Sequence, residues 1–139
     1  VFDNYGPSFL TMPRHHRQSM LRNNYHSTCR CLACTEDWPT RCRLPSIDSL
    51  SDETRNRIRK LLEQCAGYAS AIKQNELPED FNTKIAVMNR VLSNIQEIIK
   101  LQPYKEIYEL IEVRNKYLRL VGNRFQSVLL NESANDVAQ

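Results

Sequence analysis

Glycine is scarce, with three in 139 residues. A glycine-rich loop that cradles phosphate is therefore not expected. No apolar run approaches the roughly 20 residues needed to span a bilayer. No charged, then apolar, then small-residue leader opens the chain. There is no Lys/Arg block interleaved with aromatics, so nucleic-acid binding has little support. The chain begins with Val1 rather than Met, in residues that read as a strand, and so reads as a piece of a longer protein.

What is present fits a folded chain: 41% hydrophobic and 25% charged residues, in a length suited to one domain of ordinary size. The net charge of +3 is uneven. Residues 1–45 hold six Arg against three acids and all three His, whereas the remainder balances. A mild excess of this kind suits an acidic protein partner or a nucleotide-like cofactor, or is simply a solvated surface. Of five cysteines, four fall within residues 29–42 and Cys65 stands apart. An odd count at such tight spacing is a poor disulfide framework. It fits thiolates held by metal in a reducing cytoplasmic or nuclear setting.

Residues 1–45 read as an irregular, cysteine-rich segment. Thr11 is placed to cap a helix running to about Asn24, with Pro13 in its first turn. Residues 36–51, with Pro39 and Pro45, read as an extended linker. The remainder reads as helical. Ser51 is the expected N-cap, followed by Asp52 and Glu53 at the positive end of a helix dipole. Ile58, Leu61, Leu62, Cys65, Ala66, Ala69 and Ile72 recur at helical spacing. Phe81, Ile85, Met88, Leu92, Ile95 and Ile99 form a second stripe, and Ile107, Leu110, Ile111, Leu118, Val121, Phe125 and Val128 a third. Short connections at residues 75–80 and Pro103 make these antiparallel neighbours, with Leu62, Leu92 and Ile111 expected in the core. The polar tail after residue 130 is expected to fray. The fold class is thus mainly α: a zinc-binding segment over 1–45, then an antiparallel, repeat-like helical domain over 46–139. No clean 34-residue repeat is visible.

"YHSTCRCLAC", residues 25–34, carries the chemistry. Cys29, Cys31 and Cys34 lie on one short loop, which can reach three corners of a zinc tetrahedron. The fourth ligand is open: Cys42, His26 or a residue outside the chain. No cysteine stands beside a base of its own, so a catalytic thiol is poorly supported. A free-standing zinc finger would need a second ligand pair, which the chain lacks.

The Cys-x-Cys-x-x-Cys loop follows a Tyr, an Arg17-Gln18-x-x-Leu21 helix with Met12 before it, and a Tyr5-Gly6-Pro7 turn. Over residues 4–34 this resembles the post-SET segment of SET-and-MYND (SMYD) protein-lysine methyltransferases, in particular the SET and MYND domain-containing protein 4 group. Beyond residue 50 the likeness rests on order alone, since these enzymes continue into a C-terminal helical domain. The resemblance implies a fourth zinc ligand from a cysteine of the SET core, in an Asn-His-Ser-Cys type motif that this chain does not contain. It implies that Tyr5 lines the methyl-transfer site and Tyr25 the lysine channel, orienting the amine towards the sulfonium methyl of S-adenosylmethionine. Taken singly, either residue reads as a core tyrosine with a bonded hydroxyl.

One position departs from the family. Ser27 stands where an aromatic usually packs on the adenine of S-adenosylmethionine, and serine has no stacking face. His26 is the neighbouring ring that would compensate in part. Two functions follow from these residues. One is the C-terminal part of a methyltransferase, inactive alone, which contributes channel tyrosines, a zinc loop and a helical lid. The other is a helical scaffold that binds a protein partner, with the zinc loop as a staple. The two tyrosines favour the first and Ser27 favours the second.

Overall fold

The computed structural model describes residues 8–74, 76–99 and 103–136, with residues 124–136 as backbone alone. The expected opening strand and Tyr5 lie outside the described residues. The fold is mainly α, as the sequence implies. Among the described residues there is no strand, and Lys73 and Glu76 form an isolated antiparallel bridge. The chain divides into two compact units: residues 1–46 with 103–105, and residues 47–102 with 106–139.

In the first unit, α1 (Arg14–Tyr25) starts after Pro13 rather than at Thr11. The amides of Thr11 and Met12 already donate to the Ser8 carbonyl, at 3.3 and 3.0 Å. The Thr11 hydroxyl donates to the same oxygen, and the cap position falls two residues later, at Pro13. Proline at the boundary removes a donor that would need satisfying. The helix closes through His26 in the left-handed region (φ 49°), with the Ser27 amide donating back to Leu21 O at 3.2 Å. A single turn, α2 (Leu32–Thr35), follows. The expected linker is not simply extended: it holds 3₁₀ turns at Arg41–Arg43 and Ile47–Ser49. The first of them fits between Pro39 and Pro45, a spacing that leaves room for one tight turn. Pro103–Lys105 returns to this unit, where the Lys105 amide donates to Pro45 O at 2.9 Å.

Among the described residues of this unit, few apolar side chains are buried: Ala33, Cys34 and Tyr104. Phe9 and Trp38 meet edge to face at 5.3 Å but are only half-buried. Units of this size seldom hold together on burial alone, and a disulfide or metal usually supplements the core.

In the second unit, Ser51 caps α3 (Asp52–Glu63) as expected, its hydroxyl accepting from the Thr54 amide at 3.4 Å. The helix does not run on to Ile72. Gly67 takes a left-handed φ of 78° and starts a separate turn, α4 (Tyr68–Ala71). Ala66 and Ala69 are consequently exposed, and the stripe ends at Cys65. After Pro78 comes α5 (Phe81–Ile99), then α6 (Lys105–Asp136), which carries the polar tail in helical backbone as far as residue 136. Contacts fix the directions. Gln64 meets Arg90 at 3.4 Å, while Tyr68 meets Lys84, whose ammonium lies 5.2 Å from the ring centre. Asn89 meets Arg114 at 3.5 Å, while Tyr117 lies beside Lys84. In both pairs the partner number falls as the chain advances, so α5 runs antiparallel to α6 and to the segment that follows α3.

The fully buried side chains are Ile58, Met88, Val91, Ile95 and Tyr117. The expected core positions Leu62, Leu92 and Ile111 are only half-buried, and Leu118 is 47% exposed. Tyr117 takes the inward position instead because its hydroxyl finds an acceptor, Tyr68 O, at 2.9 Å. Phe125 and Val128 fall beyond the described side chains.

Burial pushes the Tyr117 phenol above its ordinary value; Lys84 pulls it down and Asp80 adds to the rise. The folded state therefore holds this proton more tightly than the unfolded chain does. The corresponding stability is present below about pH 10 and is lost as pH rises through the raised value. Tyr117→Phe should cost about 0.5–1.5 kcal/mol at neutral pH, from the lost hydrogen bond. It should also flatten the alkaline fall in stability. Urea melts of both proteins across the alkaline range measure this.

Candidate metal centre

Cys29, Cys31 and Cys34 come together as the sequence implies. Their sulfurs all lie within 4.8 Å of one another, with Cys29 half-buried, Cys31 exposed and Cys34 buried. Ligands about 2.3 Å from a tetrahedral zinc stand roughly 3.8 Å apart, so small side-chain adjustments close the site. This Cys₃ group can hold a metal ion, and its chemistry suits zinc.

The loop is shaped by its own turn. Cys31 precedes α2, and its carbonyl accepts from the amides of Cys34 and Thr35, both at 2.9 Å. The Thr35 hydroxyl adds a third bond to that carbonyl at 3.1 Å. The fold-back puts the sulfur at position 34 over the sulfurs at 29 and 31. Asp37, at a left-handed φ of 52°, then turns the chain so that the Trp38 amide reaches Ala33 O at 3.0 Å.

The three thiols are not equivalent. For Cys31, burial disfavours the thiolate. The Cys29 thiol, the Cys34 amide and thiol and the Ala33 amide outweigh that burial, and its pKa falls. For Cys29, the Cys31 amide pulls the pKa down, but the Cys31 thiol, burial and the Cys34 thiol together raise it. Of these two thiols, the surroundings favour the thiolate at Cys31 and disfavour it at Cys29.

Two residues that sequence reasoning gave no role hold the loop from α1. Arg17 and Gln18 are buried, at 2% and 8% exposure. The Gln18 amide grips Cys29 at two points, with Nε2 donating to Cys29 O at 2.8 Å and Oε1 accepting from Cys29 N at 3.2 Å. Arg17 donates to Met12 O at 2.6 Å, to Ala33 O at 3.3 Å and to Cys34 Sγ at 3.5 Å. The signal was present in the sequence. The large apolar residues of α1 are few and form no stripe, so whatever face it buries must be polar.

The other candidates fall elsewhere. Cys42 is exposed, its sulfur 3.4 Å from the Thr40 hydroxyl, and it does not join the cluster. His26 ends α1 and also stays outside the cluster. Tyr25 is 63% exposed, unlike the buried core tyrosine that its type alone implies. Ser27 is exposed. Cys65 is a core thiol of the second unit, raised by burial against the pull of Arg90. Beside Cys29 and Cys34 lies an open cleft of about 820 Å³, lined in part by Arg14, His15, Arg22 and Arg30. Much of the charge excess of the first 45 residues gathers there.

No protein-family model, curated protein or solved structure matches the chain. Among the described residues, no helix is long and apolar enough to cross a membrane.

Proposed function

We propose that this chain is the C-terminal part of a SET-and-MYND protein-lysine methyltransferase, supplying a zinc loop, channel tyrosines and a helical lid. The observation that carries this reading is the Cys29, Cys31 and Cys34 cluster, three sulfurs within 4.8 Å, in a segment that resembles the family's post-SET loop. Gathering three ligands while Cys42 stays apart supports a fourth ligand from the SET core. The few apolar side chains that the described residues of the first unit bury support a metal as its staple. In this reading Tyr5 and Tyr25 orient the lysine amine, and a SET core covers the exposed Tyr25 ring. S-adenosylmethionine supplies the methyl group, with Ser27 and His26 on its adenine side.

The exposed Ser27 favours a second reading, a helical scaffold that docks a protein partner and keeps the zinc loop as a staple. One experiment separates the two. The intact protein is incubated with labelled S-adenosylmethionine and a lysine peptide array, beside calorimetry of cofactor binding. The enzymatic reading expects transfer to lysine. Tyr25→Phe should then lower turnover about two- to tenfold, the worth of one hydrogen bond. No transfer and no cofactor binding, with zinc still bound, leaves the scaffold.

A further inference from the structure

We propose that Arg17 is the counter-ion of an anionic metal–thiolate centre, and that Gln18 is the positioning residue that fixes its first ligand. The proposal rests on the metal reading of Cys29, Cys31 and Cys34. Arginine is almost never fully buried unless paired, because desolvating a guanidinium costs several kcal/mol. Arg17 is 2% exposed. Ion pairs among the described residues involve Arg55, Arg59 and Lys84, and none involves Arg17. The oxygens it reaches, on Met12 and Ala33, are carbonyls, which supply dipoles but no charge. The atom left in its fork is Cys34 Sγ, at 3.5 Å.

Charge balance then identifies what Arg17 faces. Three thiolates on a divalent ion leave one net negative charge, and a fourth thiolate leaves two. A centre of neutral ligands would leave the guanidinium uncompensated. Its N–H also draws electron density from the Cys34 sulfur, which makes that thiolate a weaker donor to the metal. Gln18 acts through the backbone: its two bonds to the Cys29 peptide set the direction in which that sulfur points. Partners of this kind, outside the ligand set, typically alter metal affinity by about 10–100-fold.

The test loads the full chain with cobalt(II), whose bond to sulfur gives a charge-transfer band, and measures zinc affinity by chelator competition. Arg17→Met keeps the bulk and removes the charge. It should still bind one metal ion, with affinity lowered about 10–100-fold and the sulfur-to-cobalt band moved to longer wavelength. Arg57→Met, an exposed arginine on α3 in the second unit, should change neither. Arg17→Lys keeps the charge but loses the fork; its affinity should fall less than that of Arg17→Met, with the band still shifted. It carries the test if Arg17→Met does not fold. Gln18→Met keeps the bulk but can neither donate to Cys29 O nor accept from Cys29 N, and should weaken binding, whereas a merely packing residue would tolerate that change. A normal band in both Arg17 variants overturns the counter-ion role while leaving the metal site intact. Failure of the unaltered chain to bind cobalt or zinc overturns the metal reading, and the proposal with it.

Discussion

Cys34→Ser should lower the zinc affinity of the chain by about 10²–10³-fold, while Cys42→Ser should leave it unchanged. Structural zinc sites are worth roughly 10–16 kcal/mol over four ligands, or about 2.5–4 kcal/mol for each. Each 1.4 kcal/mol is about a factor of ten. Cys34 should show the full loss because it is buried and its sulfur already lies beside those of Cys29 and Cys31. Serine in its place is a poor zinc donor, and it leaves Arg17 buried without its sulfur partner. Cys42 is the control, being exposed and outside the cluster. Competition with a zinc chelator measures both variants. An equal loss in Cys42→Ser would make Cys42 the fourth ligand. Full zinc content in Cys34→Ser would remove the metal centre altogether. Chelation should also loosen the first unit far more than the second, since the described residues of the first unit bury fewer apolar side chains.

The cysteines were legible because chemistry sets their spacing. A loop that brings three thiolates to one ion must keep them close in sequence, and residues 29–34 do so. The polar grip on that loop was not legible in the same way. Arg17 and Gln18 belong to a helix without an apolar stripe, and periodicity counts only apolar residues. Apart from Met12 O, their partners lie 11 to 17 residues away, which no local pattern encodes. The exposure of Tyr25 was equally hidden, because residue type favours burial for tyrosine but does not determine it.

In the helical unit, the existence and order of the helices followed from apolar period, a good cap at Ser51 and breaks at Pro78 and Pro103. The errors have a common source. The apolar stripe marks a face of each helix, but the neighbour decides which part of that face is covered. Gly67 broke the first stripe because its left-handed backbone redirects the chain. On α6, the covered line runs through Ile107, Leu110 and Tyr117, turned away from Leu118. The hydroxyl of Tyr117 kept it off an apolar list, and the Tyr68 carbonyl is what admits it to the core.

That shift of register changes which substitutions should unfold the protein. Met88→Ala should lower the stability of the chain by about 2–5 kcal/mol, whereas Leu118→Ala should lower it by less than about 0.5 kcal/mol. Met88 is fully buried on α5, in the helix that meets both α3 and α6. Truncation there loses the transfer energy of the side chain and leaves a cavity that Ile58, Val91 and Ile95, themselves fully buried, can fill only by moving. Leu118 is 47% exposed, so its truncation opens no enclosed space. Leu62→Ala, at a half-buried site, should fall between the two. Urea denaturation followed by circular dichroism ranks all three. The order Met88, Leu62, Leu118 is expected. A loss at Leu118 equal to that at Met88 would put the apolar stripe of α6 back against its neighbours and turn Tyr117 outward, and Tyr117→Phe would then cost nothing.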